Sequence, residues 1–253
     1  MKGFLVISAL GVLAMLAEVF KFKRILLPLI VLGILAAYAL NFMEWDHPYS
    51  ISYFQNMIAL DKVALAFTGV ILITTFYWFI LANSTYDNEP HLVDHYALVL
   101  FAVTGAIMMT AFTNMTTLFM GIEIMSIPLY VLAASKKNKI NSNEAGFKYL
   151  IMGSFASAFL LFGIALIYGA TGSFDLNEIR AYIASNPGNM PSFFYAGVIM
   201  MLIAMCFKVS AAPFHFWAPD VYHGSPTIIT ALMSTVVKTA AFAAFMRLFM
   251  IGF

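Results

Sequence analysis

Three charged residues stand inside runs that carry no other charge: Glu123 in TLFMGIEIMSIPLY, Lys208 in MLIAMCFKVSAAP and Lys238 in LMSTVVKTAAF. One carboxyl and two amino groups in apolar surroundings suit proton chemistry. Burial disfavours an ammonium group and a nearby carboxylate favours it, so moving the acid relative to a lysine switches that lysine between holding and releasing a proton. A thousandfold change in proton affinity is about 4 kcal/mol. Carrying one charge across about 180 mV costs a similar amount, which makes the two events commensurate.

A structural reading competes with this one, in which Glu123 and one lysine form an ion pair that locks two helices. Each charge costs about 2.5–3.5 kcal/mol at the centre of a membrane helix. Three approach the whole stability of an ordinary domain, about 5–15 kcal/mol. The ion pair also leaves one lysine without an acid, since no second carboxylate sits at that depth. Pro128 and Pro213 each follow a charge by five residues. A helix proline frees the carbonyl four residues before it, here those of Ile124 and Val209. Pro213 is expected to open the helix beside Lys208, although an ordinary kink explains either proline equally well.

Other candidates have plainer readings. Lys148 lies four residues after Glu144, the spacing of an interfacial pair on one helix face. Glu18 and Arg247 are near enough to span ends to snorkel. His215 and His223 flank the turn at Pro219 and Asp220, where a hydrogen-bonded loop histidine competes with a proton relay. Ser154, Ser157 and Ser210 either carry water or pack helices.

The elements that must hold these residues are membrane spans. The 253 residues are 62% hydrophobic and 10% charged, with a mean hydropathy of +0.90. That is more apolar surface than a soluble domain of this size can bury. Eight runs have the length a bilayer requires: roughly 3–20, 25–41, 62–82, 94–112, 115–134, 145–169, 192–213 and 227–250. DLNEIRAYIA, between the sixth and seventh, reads as a short surface helix. The fold class is therefore an all-α polytopic membrane protein, with one span broken near Pro213. A net charge of +1 without a Lys/Arg-rich arm argues against a nucleic-acid partner. The single cysteine, Cys206, excludes an intrachain disulfide framework. There is no GxGxxG, Walker loop or HExxH, so cofactor and metal sites are expected to be none in this chain.

Lys21, Lys23, Arg24, Lys136, Lys137 and Lys139 fall on one side of an alternating topology. The positive-inside rule makes that side cytoplasmic and the N-terminus periplasmic. The cationic KFKR follows the first apolar run, the reverse of a signal peptide's order. TVVKTAAFAAFMRLFMIGF ends without a polar tail, which reads as a fragment or a truncated reading frame.

FKVSAAPFHFWAPDVYHGSPTIITALMSTVVKTAAFAAFMRLF resembles the central signature of the antiporter-like membrane subunits of respiratory complex I, the proton-pumping NADH:quinone oxidoreductase. GIEIMSIPLYVLAA and EAGFKYLIMGSFASAFLLFGIALIYGATGS agree with it in order and spacing. The PDVYHGSP wording marks one bacterial branch. The resemblance is weak over the first 90 residues and strong from about 95 onward. It implies a bundle of about fourteen helices with two inverted five-helix repeats, each carrying a broken helix and a buried lysine. Residues 1–94 would then hold helices 1–3, and 95–253 the first repeat, with the second absent. On this resemblance Glu123 is the charge-modulating acid of the fifth helix and Lys148 the lysine of the sixth. Lys208 belongs to the broken seventh helix, and Lys238, in the eighth, passes the proton toward the centre. FMN, iron–sulfur clusters and quinone would be handled by the complex's other subunits. The implied partners are neighbouring antiporter-like and small membrane subunits, in a bacterial inner membrane. An Mrp-type cation/proton antiporter subunit shares the helical core and stands as the alternative.

Overall fold

A computed structural model describes residues 1–20, 23–45, 51–86 and 91–253. Lys21 and Phe22 of the cationic connection, 46–50 of the first long loop and 87–90 of the acidic one lie outside the described residues, as does the side chain of Glu18. The chain runs α1 (Lys2–Val19), α2 (Lys23–Met43), a hairpin of β1 (Ile51–Tyr53) and β2 (Ile58–Leu60), α3 (Lys62–Tyr86), α4 (Leu92–Ala111), α5 (Met115–Ala133) and α6 (Ile140–Thr171). It continues through α7 (Leu176–Ser185), α8 (Ser192–Val209), α9 (Ala218–Gly224), α10 (Thr227–Leu232) and α11 (Lys238–Arg247). Wider π-helical turns at Met233–Val237 and Leu248–Gly252 make α10 and α11 one 26-residue rod, Thr227–Gly252.

Among the described residues seven helices are long and apolar enough to cross a membrane, and Lys2–Ala17 is a shorter apolar helix. These are the eight expected spans. The chain is a polytopic α-helical membrane protein with large apolar residues on both its inside and its outside. Ile122, Leu129, Ile164 and Met205 fill the interior, whereas Phe147, Ile151, Phe155 and Phe162 of α6 face outward. A helix apolar all round is what a lipid surround selects.

The ends of the elements obey local chemistry. Asn114 caps α5 by accepting from the Thr116 N–H at 2.9 Å. Asp175 caps α7 by accepting from Asn177 at 2.8 Å and Glu178 at 3.3 Å. Gly172 ends α6 in the left-handed conformation, φ 73°, where a side chain is disfavoured. α7 is the surface helix expected at DLNEIRAYIA, with Leu176 and Ile179 buried beneath it. Three local features differ from expectation. The first long loop contains the small antiparallel hairpin, with Ile51 opposite Leu60. α6 begins five residues earlier than expected, at Ile140, because Ser142 closes the preceding turn, donating to the Ala133 carbonyl at 2.7 Å. α8 stops at Val209, four residues early, for the reason given next.

α4 is the most deeply buried span and packs against α1, α3, α5 and α11. α6 packs against α5, α8 and α9. The three mid-span charges lie on α5, α8 and α11, around the end of α8.

Candidate functional site

The break beside Lys208 forms before the proline. Ser210 takes the left-handed conformation, φ 60° and ψ 42°, which non-glycine residues rarely adopt. Its N–H donates to Phe207 O at 3.1 Å and that of Ala211 to Cys206 O at 2.9 Å, which ends α8. Pro213 follows a cis Ala212–Pro213 bond, already outside the helix. The expectation that Pro213 itself frees the Val209 carbonyl is therefore corrected: Ser210 makes the break, and Lys208 O is the carbonyl put to use. Lys238 Nζ donates to Lys208 O at 3.0 Å and to the Ser210 hydroxyl. Pro128 breaks nothing, since α5 continues through it from Met115 to Ala133.

Glu123 and Ser126 are three residues apart on α5 and so share a face. Ser157 of α6 donates to Glu123 Oε1 at 2.5 Å. Lys208 Nζ, in a residue only 7% exposed, donates to Ser126 Oγ at 3.0 Å. Among the described residues no ion pair joins Glu123 to Lys208 or Lys238. The locked ion pair weighed above is thus not what this arrangement holds. Acid and lysine each rest on a hydroxyl, an arrangement compatible with changing distance. Ser157 and Ser210, weighed as water carriers or packing, are direct partners of the charges. Ser154 instead lines an apolar groove between α6 and α8.

Trp217 ties the site together. Its indole N–H donates to Phe207 O at 3.1 Å, its ring lies 4.9 Å from Lys238 Nζ, and it stacks on Tyr149 and Phe207 at 5.0 and 5.2 Å. Tyr149 meets Tyr130 edge-on at 4.8 Å. Tyr130 Oη in turn lies against Gly153, where an added Cβ would fall 2.2 Å from it. An aromatic wall therefore runs from α5 through α6 to the ammonium group of Lys238.

Lys148 stands apart from this cluster, at the rim. Its Nζ bridges Glu144 at 2.6 Å and Asp220 at 2.5 Å, with the side chain one third exposed. The i,i+4 pair with Glu144 is present, and Asp220 joins it from α9. Pro219 opens α9 at its second residue, and His215 and His223 are both exposed. His215 and Pro219 belong to the break rather than to the cluster of charges.

Two features escaped the sequence reading. Ser126 is one helical turn from Glu123, a spacing that a search for polar residues around the acid would find. Arg247, expected to snorkel, is instead 4% exposed, its guanidinium donating to Asp61 Oδ2 at 2.5 Å and to Thr110 O at 2.9 Å. It ties the last span to the starts and ends of α3 and α4, and nothing in its local sequence marks that partner.

Comparison with known proteins agrees with this geometry. Residues 112–253 match the family model described as NADH:quinone oxidoreductase/Mrp antiporter, TM. A relative from Flavobacterium psychrophilum named NADH-quinone oxidoreductase subunit N is 45% identical over 98% of this chain and 54% of its own length. One of the same name from Cytophaga hutchinsonii is 45% identical over 97% and 52%. A chain of respiratory complex I from Thermus thermophilus superposes with a TM-score of 0.80 at 30% identity, covering 97% of this chain and 52% of that one. A chain of the membrane-bound sulfane sulfur reductase, an archaeal respiratory membrane complex, gives 0.83 at 25% identity, covering 99% and 54%. The chain thus spans about half the length of the relatives it matches. With the broken α8, the lysines on either side of the break and the acid of α5 all within or beside the matched region, this chain belongs to the NADH:quinone oxidoreductase/Mrp antiporter transmembrane family.

Proposed function

We propose that this chain is part of a proton-translocating membrane subunit of a NADH:quinone oxidoreductase. One observation carries the reading: Lys208 is buried on the Ser126 hydroxyl beside Glu123, while its own carbonyl holds Lys238 Nζ. Two amino groups share one helix break, so a proton leaving Lys208 has Lys238 as its nearest basic neighbour there. Glu123, held by Ser157, supplies the negative field that favours the charged lysine. Lys148, bridged to Glu144 and Asp220, stands at the rim as the point where this row of groups meets water. Electron transfer, with FMN, iron–sulfur clusters and quinone, is assigned to other subunits of the complex. The partners are neighbouring antiporter-like and small membrane subunits. The membrane is a bacterial inner membrane, with the N-terminus periplasmic on the strength of the Lys/Arg distribution. Residues 1–94 form the N-terminal helices 1–3 with their loops, and 95–253 the first five-helix repeat. The family match, residues 112–253, lies within the second of these.

The test is Lys208→Ala, and separately Lys238→Ala, in the assembled complex in native membranes. NADH-driven proton pumping falls, more for Lys208, while the complex still assembles. Undiminished pumping in a fully assembled Lys208→Ala complex overturns the mechanism. The family description also names the Mrp antiporter, which couples protons to cations without a redox partner. NADH–ferricyanide reductase activity that co-purifies with a tag on this chain favours the oxidoreductase. Sodium-dependent exchange without NADH favours the antiporter.

A further inference from the structure

Away from the buried charges, a polar recess of about 500 Å³ opens where the α5–α6 turn meets the end of α9. Lys136, Lys139 and Asn141 line one wall, and His223, Ser225 and Thr227 the other. The walls are held close because Gly224 lies directly on the Asn141 backbone, where an added Cβ would fall 2.4 Å from Asn141 O. The turn itself is tied down. Lys139 N–H donates to Lys136 O at 2.8 Å, and Asn143 Nδ2 to Lys137 O at 2.9 Å.

The recess gathers donors and positive charge with nothing to receive them. Among the described residues the Lys136 and Lys139 ammonium groups have no ion-pair partner. Ser225 also lines the recess, with its hydroxyl buried and without a hydrogen-bond partner among the described residues. The 32-residue α6 begins at the recess with no side-chain cap on its N-cap residue, so unbonded N–H groups and the positive end of its dipole open there. The nearest acids, Glu144 and Asp220, occupy the adjoining recess and are both engaged by Lys148.

We infer that this recess binds a phosphate-bearing anion at the membrane surface, held by Lys136, Lys139 and His223. Its position at the ends of three spans, beside the 80% exposed Ile140 and the outward Phe147, fits the headgroup of an anionic phospholipid, whose chains would lie along α6. Basic recesses between spans on the Lys-rich side are suited to such headgroups. Free phosphate shares the same chemistry and is the other source. The occupant would sit one His223 away from the Lys148–Glu144–Asp220 group, since His223 lines both recesses.

The test is native mass spectrometry of the full chain, delipidated in mild detergent. It is titrated separately with dioleoyl phosphatidylglycerol, dioleoyl phosphatidylcholine and inorganic phosphate. One saturable phosphatidylglycerol site is expected, weakened about 25-fold in Lys136→Gln/Lys139→Gln, since each lysine near an anionic headgroup is worth about fivefold. Lys62→Gln/Arg180→Gln, which removes the same charge from the start of α3 and from α7, leaves it unchanged. Inability of 10 mM phosphate (roughly a physiological excess) to compete assigns the site to lipid, and direct competition assigns it to soluble phosphate; either supports an anion site. Equal binding of phosphatidylcholine, or equal affinity in wild type and the double lysine variant, overturns it. So does binding of neither lipid nor phosphate, which would leave the recess to an acidic protein segment.

Discussion

Replacing Asp61 by Asn should destabilise this protein more than removing Arg247, the buried member of the pair. Arg247 has only 2% of its side chain exposed, against 32% for Asp61. Asn at position 61 keeps the α3 cap, since its oxygen can still accept from the Ala64 N–H now bonded at 2.7 Å. Its amide NH2 replaces the oxygen that now accepts from the guanidinium, and as a donor it cannot accept, so that charge stays buried without a counter-charge. Breaking a buried pair from one side costs about 3–5 kcal/mol, which is the range expected for Asp61→Asn. Arg247→Met removes the buried charge itself. The abandoned carboxylate is one third exposed and can hydrate, so only the bonds to Asp61 and Thr110 O are lost, about 1–2 kcal/mol. At about 2–4 °C per kcal/mol for a chain of this size, the expected Tm losses are about 6–20 °C for Asp61→Asn and about 2–8 °C for Arg247→Met. The double variant should return to the Arg247→Met level. Thermal unfolding followed by helical circular dichroism in mild detergent measures all three. An Arg247→Met loss equal to or greater than that of Asp61→Asn, or a double variant no better than Asp61→Asn, would refute the assignment of cost to the uncompensated guanidinium.

Further outcomes follow from the same contacts. Ser126→Ala removes a charge-assisted bond of about 1.5–3 kcal/mol from Lys208. Proton pumping by the assembled complex should fall several-fold, with Ser126→Thr restoring most of it; equal loss in both would mean the site tolerates no change of volume there. Gly153→Ala drives a methyl into Tyr130 Oη and should cost about 1–3 kcal/mol of stability. Adding Tyr130→Phe should recover only part of that cost in thermal unfolding, because it deletes Oη but leaves the ring carbons Cζ and Cε1 at 2.7 and 2.9 Å from the new methyl. Trp217→Leu removes both the indole bond to Phe207 O and the ring beneath Lys238, whereas Trp217→Phe keeps a ring. Cation–ring attraction is worth about 0.5–2 kcal/mol, so the Leu variant should pump more slowly than the Phe variant, compared at equal assembly.

The sequence by itself determined the solvent, the spans and the unusual charges. Hydropathy forces eight apolar runs into lipid, and within them Glu123, Lys208 and Lys238 are conspicuous because a charge there is costly. Capping at Asn114, Gly172 and Asp175 is local to a few residues, and it is the structure that shows it. What only the tertiary structure decided are the contacts between helices. That Lys208 rests on Ser126, that Lys238 takes the Lys208 carbonyl, and that Trp217 lies beneath it all depend on how α5, α8 and α11 rotate about their axes. A helix apolar all round gives no sign of that rotation. Arg247 shows the limit most plainly: near a span end its length permits snorkelling, and only the arrival of Asp61, 186 residues away in sequence, holds it inside. The break at Ser210 is the reverse lesson. Proline marks where a helix cannot continue, but the chain had already turned three residues earlier, where Trp217 and Lys238 donate to the carbonyls of Phe207 and Lys208.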